Sequence, residues 1–217
     1  MKNLFVEFIN TDNSERQKEY NDTLCINNQL NYFDNIYIIK GKDVVLPFQS
    51  DKFKIILQQN TRTTYQFVFD LPEAQQDNDI NILANSDIYF DNSINLINDK
   101  ITEEIAIGLS RWYLPNDTAY LAVVGHHMDG KAAPESNDVW IWKGKNKVQN
   151  GDFPIGYYSC DCRIMQCFVE AGYRVYNPAI SIKTWHNHIT RPKSLPPNVE
   201  GPYWKGPETH HTILDVK

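Results

Sequence analysis

The sequence predicts an α/β protein whose central sheet is mixed but mostly parallel and is flanked by helices. Two observations carry that prediction. Over roughly the first 90 residues, short β-branched and aromatic runs alternate with segments of helical spacing, in the order strand, helix, strand, strand, helix, strand. The first and fourth of those strands run directly into polar turns, at residues 10–13 and 85–87. A parallel sheet brings such turns to one edge, where open α/β sheets bind ligands.

Residues 4–9 read as the first strand. Ser14 offers an N-cap with Glu15 behind it, and Tyr20, Leu24, Asn27, Asn28 and Leu30 recur at helical intervals, so residues 15–30 read as a helix. Residues 35–40 (NIYIIK) form the second strand, closed by Gly41, and residues 54–58 the third. Residues 63–75 have helical spacing through Tyr65, Phe67, Val68 and Leu71, with Pro72 at a kink or at the end. Residues 80–84 read as a short buried strand that stops at Asn85, Ser86 and Asp87, with Asp91 close behind.

The rhythm then changes. Residues 104–114 and 119–124 read as strands on either side of the turn signal at 115–117, residues 125–137 as a surface loop, and residues 138–143 as an alternating strand. Residues 159–172 read as a helix closed by Gly172, and residues 173–176 and 180–185 as short strands that lead into His186, Asn187 and His188. A small second antiparallel sheet is expected beside the central one. From residue 190 the chain holds five prolines and two glycines, giving one domain at 1–190 and a Pro-rich tail at 191–217.

Composition narrows the function classes. The chain has 217 residues, enough to bury a core without staples, and its apolar, aromatic and charged fractions of 41%, 12% and 22% are those of a globular protein. The net charge of -6 is spread without a basic block, which argues against a nucleic-acid partner. No apolar run approaches the roughly 20 residues needed to span a bilayer, and the amino terminus lacks the apolar core of a signal peptide, so a cytoplasmic location is expected. Cys160, Cys162 and Cys167 crowd one segment at a spacing that matches no standard zinc pattern, and they read as reduced thiols.

Three clusters could carry chemistry. Asn85, Ser86 and Asp87 are ordinary turn formers as well as a carboxylate site past a strand end. His186 and His188 share one face of a strand, and so can either flank solvent or close on a cation with an earlier Asp. Asp161 opens a helix, where the dipole favours a negative charge, and Arg163 two residues on would keep its pKa low. Arg16, Arg62 and Arg111 sit at element boundaries, as surface charges or as phosphate contacts. His126, His127, His210 and His211 read as solvated.

Taken in order, residues 15–19 (ERQKE), 62–65 (RTTY), 82–91 (ILANSDIYFD), 109–112 (LSRW), 137–144 (NDVWIWKG) and 156–188 resemble the GT-A-fold glycosyltransferases, in particular small bacterial enzymes and the glycosyltransferase domains of large viruses. The resemblance implies a Rossmann-like GT-A fold and a metal-dependent transfer of a sugar from a nucleoside-diphosphate sugar, by default a UDP-sugar, to a hydroxyl of a glycan acceptor, with inversion. It places Asn85-Ser86-Asp87 at the DxD motif with Asn in the first place, so that Asp87 would hold Mn2+ or Mg2+ with His186 or His188, and Asn85 would lie near the ribose. Asn10, Arg16, Arg62, Ser86 and Arg111 would line the donor pocket, Asp161 would be the general base, and Asp138 and Trp140 would meet the acceptor. If viral, the protein would work in the host cytoplasm. Two rivals stand beside this reading. One is a nucleotide-sugar or glycan-binding module that has lost turnover. The other is a nucleotidyltransferase, which would want a Gly-rich, Lys- or Arg-bearing loop near residue 10, where the sequence has NTDNSERQ.

Overall fold

In a computed structural model, residues 1–59, 62–98, 100–113, 120–121 and 137–187 are described. Among the described residues, eleven strands and three α-helices follow in the order β1 (Lys2–Glu7), α1 (Ser14–Gln29), β2 (Asn35–Lys40), β3 (Phe53–Leu57), α2 (Tyr65–Phe69), β4 (Ile80–Ala84), β5 (Ile88–Phe90), β6 (Ile105–Ser110), β7 (Trp112–Tyr113), β8 (Tyr120–Leu121), β9 (Asn137–Lys143), α3 (Cys160–Glu170), β10 (Arg174–Tyr176) and β11 (Thr184–His186). Seven strands form the central sheet in the order β10-β6-β9-β4-β1-β2-β3. All its pairings are parallel except those of β9, which runs against both β4 and β6. The fold is the mixed, mostly parallel α/β sheet expected from the alternation of elements.

Strand alternation divides the core between the two faces of this sheet. Leu4, Val6, Ile36, Ile38, Ile82, Val139 and Ile141 pack on one side, with Leu24 of α1. Phe5, Ile39, Leu83, Trp140 and Trp142 pack on the other, with Tyr65, Val68 and Phe69 of α2 and Ile164, Met165 and Phe168 of α3. A small second sheet, β5-β11-β7-β8, lies beside the first. Its β5/β11 and β7/β8 pairs are antiparallel, while β11 meets β7 in parallel through Trp185 and Trp112.

Several boundaries differ from the sequence reading for local reasons. The N-cap of α1 is Asn13, not Ser14; its side-chain oxygen accepts from the amides of Glu15 and Arg16 at 3.0 and 3.1 Å. The helix expected over 63–75 is one turn and a half of α-helix at Tyr65–Phe69 followed by a 3-10 turn at Pro72–Ala74, because proline cannot continue the hydrogen-bond ladder but suits the start of a new turn. Gly172 ends α3 as expected: it follows the last turn at φ +84°, and Tyr173 N donates back to Phe168 O at 3.0 Å. Asp91 caps the 3-10 turn Asn92–Ile97 through Ser93 N, as a cap or turn residue should. Residues 114–119, 125–136 and the tail from 191 lie outside the described residues, and so do His126, His127, His188, His210 and His211.

Candidate functional site

The carboxyl ends of β1, β4 and β6 and the start of the reversed strand β9 meet at one sheet edge. There a cleft of about 310 Å³ is lined by Glu7, Ile9, Arg16, Tyr20, Arg62, residues 84–87, Arg111, Asp138, Ile155, Gly156 and His186. The turn after β4 closes on the end of β1: Ser86 Oγ donates to the carbonyl oxygen of Glu7 at 2.5 Å.

Three arginine–carboxylate pairs organise the walls. The cap at Asn13 sets the first turn of α1, which delivers Arg16; its Nη2 donates to Asp87 Oδ2 at 2.5 Å, its Nη1 to Glu19 at 2.7 Å and its Nε to the Tyr20 hydroxyl at 3.1 Å. Burial works against the Arg16 charge, but Asp87 and Glu19 outweigh it and hold its pKa above the ordinary value. Arg62 pairs with Glu7 at 3.1 Å and donates to the carbonyl of Ile155 at 2.5 Å. Arg111 donates from Nη1 to Asp138 Oδ2 and from Nε to the Tyr113 hydroxyl, at 2.7 and 2.6 Å. Its pKa is likewise raised, Asp138 overcoming the cost of burial.

His186, on β11, places Nε2 2.9 Å from the same Asp87 oxygen that Arg16 meets, with the Tyr113 ring edge-on at 5.1 Å. Among the described residues no three His, Cys, Asp or Glu side chains converge as a ready metal site. Asp87 with His186 is therefore a two-ligand arrangement, which fits a divalent cation only when substrate phosphates and water complete its shell, the mode usual for Mg2+. Asn85 does not extend that set, because its amide is turned to Asp138.

Of the residues singled out from sequence, Arg16, Arg62, Asn85, Ser86, Asp87, Arg111, Asp138 and His186 all line the cleft. Three do not. Asn10 is exposed beyond the end of β1, and its neighbour Ile9 takes the wall position. Trp140 was expected at an acceptor surface, but β9 is an interior strand; Trp140 is fully buried, edge-on to Tyr65 with ring centroids 4.9 Å apart. Asp161 is not on the wall either: its Oδ2 accepts from the Asn137 amide at 3.2 Å. The expectation of a low Asp161 pKa is also corrected. Burial, and then the nearby Asp138 charge, push it up to about 6, while Arg163 turns along its helix to Glu170 at 3.5 Å. Glu7 and Gly156 were missed. Glu7 reads as one more strand residue, yet it ends β1 and gathers Arg62, Gln58 and the Thr63 amide.

No family model matches the chain, and no curated protein does. Among solved structures, the chain is similar to the 2-C-methyl-D-erythritol 4-phosphate cytidylyltransferase of Francisella tularensis, at 13% identity and a TM-score of 0.38 over 65% of this chain and 70% of that one. It is also similar to the 4-diphosphocytidyl-2C-methyl-D-erythritol synthase of Anaerococcus prevotii, at 11% identity and a TM-score of 0.41 over 81% of this chain and 86% of that one. One is named a cytidylyltransferase and the other a synthase of a diphosphocytidyl compound, and neither is a glycosyltransferase. The expectation of sugar transfer to a glycan is corrected on this finding.

Proposed function

We propose that the cleft binds a nucleotide through its phosphates and that the protein is a nucleotidyltransferase. It would join a nucleoside monophosphate to a phosphorylated acceptor and release pyrophosphate. The observation that carries this reading is the convergence of Arg16, from the first turn of α1, with Arg62 and Arg111, from two separate connections, on one cleft at the carboxyl edge of the sheet. The sequence objection was the missing Gly-rich, basic loop after the first strand. The amides of Glu15 and Arg16 at the start of α1 are indeed taken by Asn13, so that turn does not offer them as an anion cradle. The positive charge comes instead from side chains, and guanidinium groups suit phosphate oxygens because two parallel N–H donors match them.

The chemistry follows from those groups. An ionised phosphate oxygen of the acceptor attacks the α-phosphorus of the nucleoside triphosphate. The new P–O bond forms as the bond to the bridging oxygen breaks, and pyrophosphate leaves with the electron pair. An acceptor that is already ionised needs no general base, which accords with Asp161 standing off the wall. The arginines neutralise charge on the α-phosphoryl group and on the leaving pyrophosphate, the term that dominates phosphoryl-type transfers. A divalent cation at Asp87, Mg2+ or Mn2+, would add Lewis-acid neutralisation there. Without ligand the cleft is balanced, with Arg16, Arg62 and Arg111 against Asp87, Glu7 and Asp138. Asp87 and His186 would hold that cation, and Arg16, which Asp87 otherwise engages, would then meet a phosphate.

The test is pyrophosphate release from each of the four ribonucleoside triphosphates with Mg2+ and a panel of sugar and polyol phosphates. One triphosphate should release pyrophosphate in an acceptor-dependent way, and Arg111→Ala should slow that release about a hundredfold or more, the usual loss on removing a charge-stabilising donor. Absence of pyrophosphate with every pair would exclude the reading.

A further inference from the structure

Asn85 does something more specific than line the cleft. Its Nδ2 donates to Asp138 Oδ1 at 2.7 Å, and its backbone N–H donates to the Asp138 carbonyl at 3.0 Å. The other carboxylate oxygen of Asp138, Oδ2, accepts from Arg111 Nη1 at 2.7 Å. Asp138 is only 6% exposed, so the two donors fix the plane of a buried carboxylate from opposite elements. We propose that Asn85 is a positioning residue, whose amide orients the Asp138 carboxylate so that Arg111 is held ready for the substrate phosphates. The inference rests on reading the cleft as a phosphate site.

The residue type at 85 follows from the same geometry. An aspartate there would set two carboxylates at hydrogen-bonding distance, and such a pair cannot both stay ionised without a proton or cation between them. The surroundings of Asp138 sharpen this: Asp161 and Cys160 in the first turn of α3 and Tyr65 of α2 all feel its negative charge, and Arg111 is the cation bonded to it. Asparagine has nearly the shape of aspartate and supplies the donor that Asp138 needs. The amide in the first place of Asn85-Ser86-Asp87 is thus a partner chosen by Asp138.

The probe is inorganic tripolyphosphate, which has no ribose, titrated calorimetrically into wild type, Asn85→Ala, Asn85→Asp and the swapped pair Asn85→Asp/Asp138→Asn. Thermal melts of the same proteins are recorded at pH 6 and pH 8. Asn85→Ala should weaken tripolyphosphate about tenfold, the loss expected for a hydrogen bond to a charged group. Asn85→Asp should weaken it further and should lose more melting temperature between pH 6 and pH 8 than wild type does. The swap, which rebuilds an amide–carboxylate pair with the donor reversed, should recover most of both losses. Wild-type affinity in Asn85→Ala, or a swap no better than Asn85→Asp alone, would overturn the inference. If wild type takes up no tripolyphosphate, the phosphate-site reading falls by itself, and the melts still decide the Asn85–Asp138 relation: rescue by the swap at pH 8 supports it and equal melts refute it.

Discussion

Arg16 and Asp87 are 71 residues apart in the chain and meet at 2.5 Å, joining the first turn of α1 to the turn after β4. His186, from the second sheet, closes on the same carboxylate oxygen. Three elements are therefore tied through one buried aspartate, and the contact is structural as well as chemical.

Asp87→Ala should accordingly cost stability. Orphaning a buried charge typically costs roughly 3 to 5 kcal/mol, but Arg16 keeps its bond to Glu19, so a loss of about 2 to 3 kcal/mol is expected. Asp87→Asn, which keeps an acceptor for Arg16, should lose less. Urea unfolding of the three proteins measures the order, and an unchanged midpoint in Asp87→Ala would show that the contact contributes nothing.

Gly156 should prove to be a binding residue without a side chain. Its φ is +78°, and a Cβ there would stand 2.5 Å from Arg62 Nη2. Gly156→Ala therefore meets two penalties: a left-handed backbone worth about 1 to 2 kcal/mol and a displaced guanidinium. Gly172 is the matched control, with φ +84° and nothing within 4 Å of its Cβ. Gly172→Ala should lose only the stability of the backbone penalty, whereas Gly156→Ala should lose more and should also weaken nucleotide affinity, by about tenfold if the Arg62 contact to a phosphate is lost. Equal affinities in the two variants would remove Arg62 from the binding wall.

The balance between what the residues announced and what they concealed has physical causes. β2 and β4 were legible to the residue because each is a short run rich in isoleucine bounded by turn residues. Element boundaries named most of the cleft: Asn85 to Asp87 follow β4, Arg111 follows β6, Arg16 opens α1 and Arg62 precedes α2. The second sheet was harder. Its described strands are two or three residues long, too short for alternation to register, and α1 meets it through polar side chains: Asn27 donates to Ile88 O at 2.9 Å and accepts from Phe90 N at 3.2 Å. Trp140 was misplaced because alternation cannot say whether a strand is covered on one face or two.

That coverage yields a third expectation. Trp140 packs in the same core cluster as Phe5, Tyr65 and Phe168, so Trp140→Ala should cost about 3 to 5 kcal/mol, the range for deleting a buried aromatic. Trp140→Phe, which keeps an edge-on partner for Tyr65, should lose much less. Nucleotide and acceptor affinities of Trp140→Phe should match wild type. A selective loss of acceptor affinity in that variant would return Trp140 to the binding surface.

Asp161 sets the last expectation, through its proton. Its pKa is about 6 in the folded protein against 3.8 for a free side chain, because burial and then the Asp138 charge disfavour the carboxylate. Between about pH 4 and pH 6 the folded state therefore binds more protons at this residue than the unfolded state does. Stability from this group is greatest below pH 4, falls as pH rises through that window, and is level above it. Asp161→Asn is neutral throughout and keeps an oxygen for the Asn137 amide, so it should lack this part of the slope and stand above wild type at pH 7. Denaturant midpoints of the two proteins at pH 4.5 and pH 7 isolate the effect, since every other titrating group is common to both. Parallel midpoints would mean that Asp161 ionises as freely in the fold as in the open chain, and that the Asp138 carboxylate does not reach it.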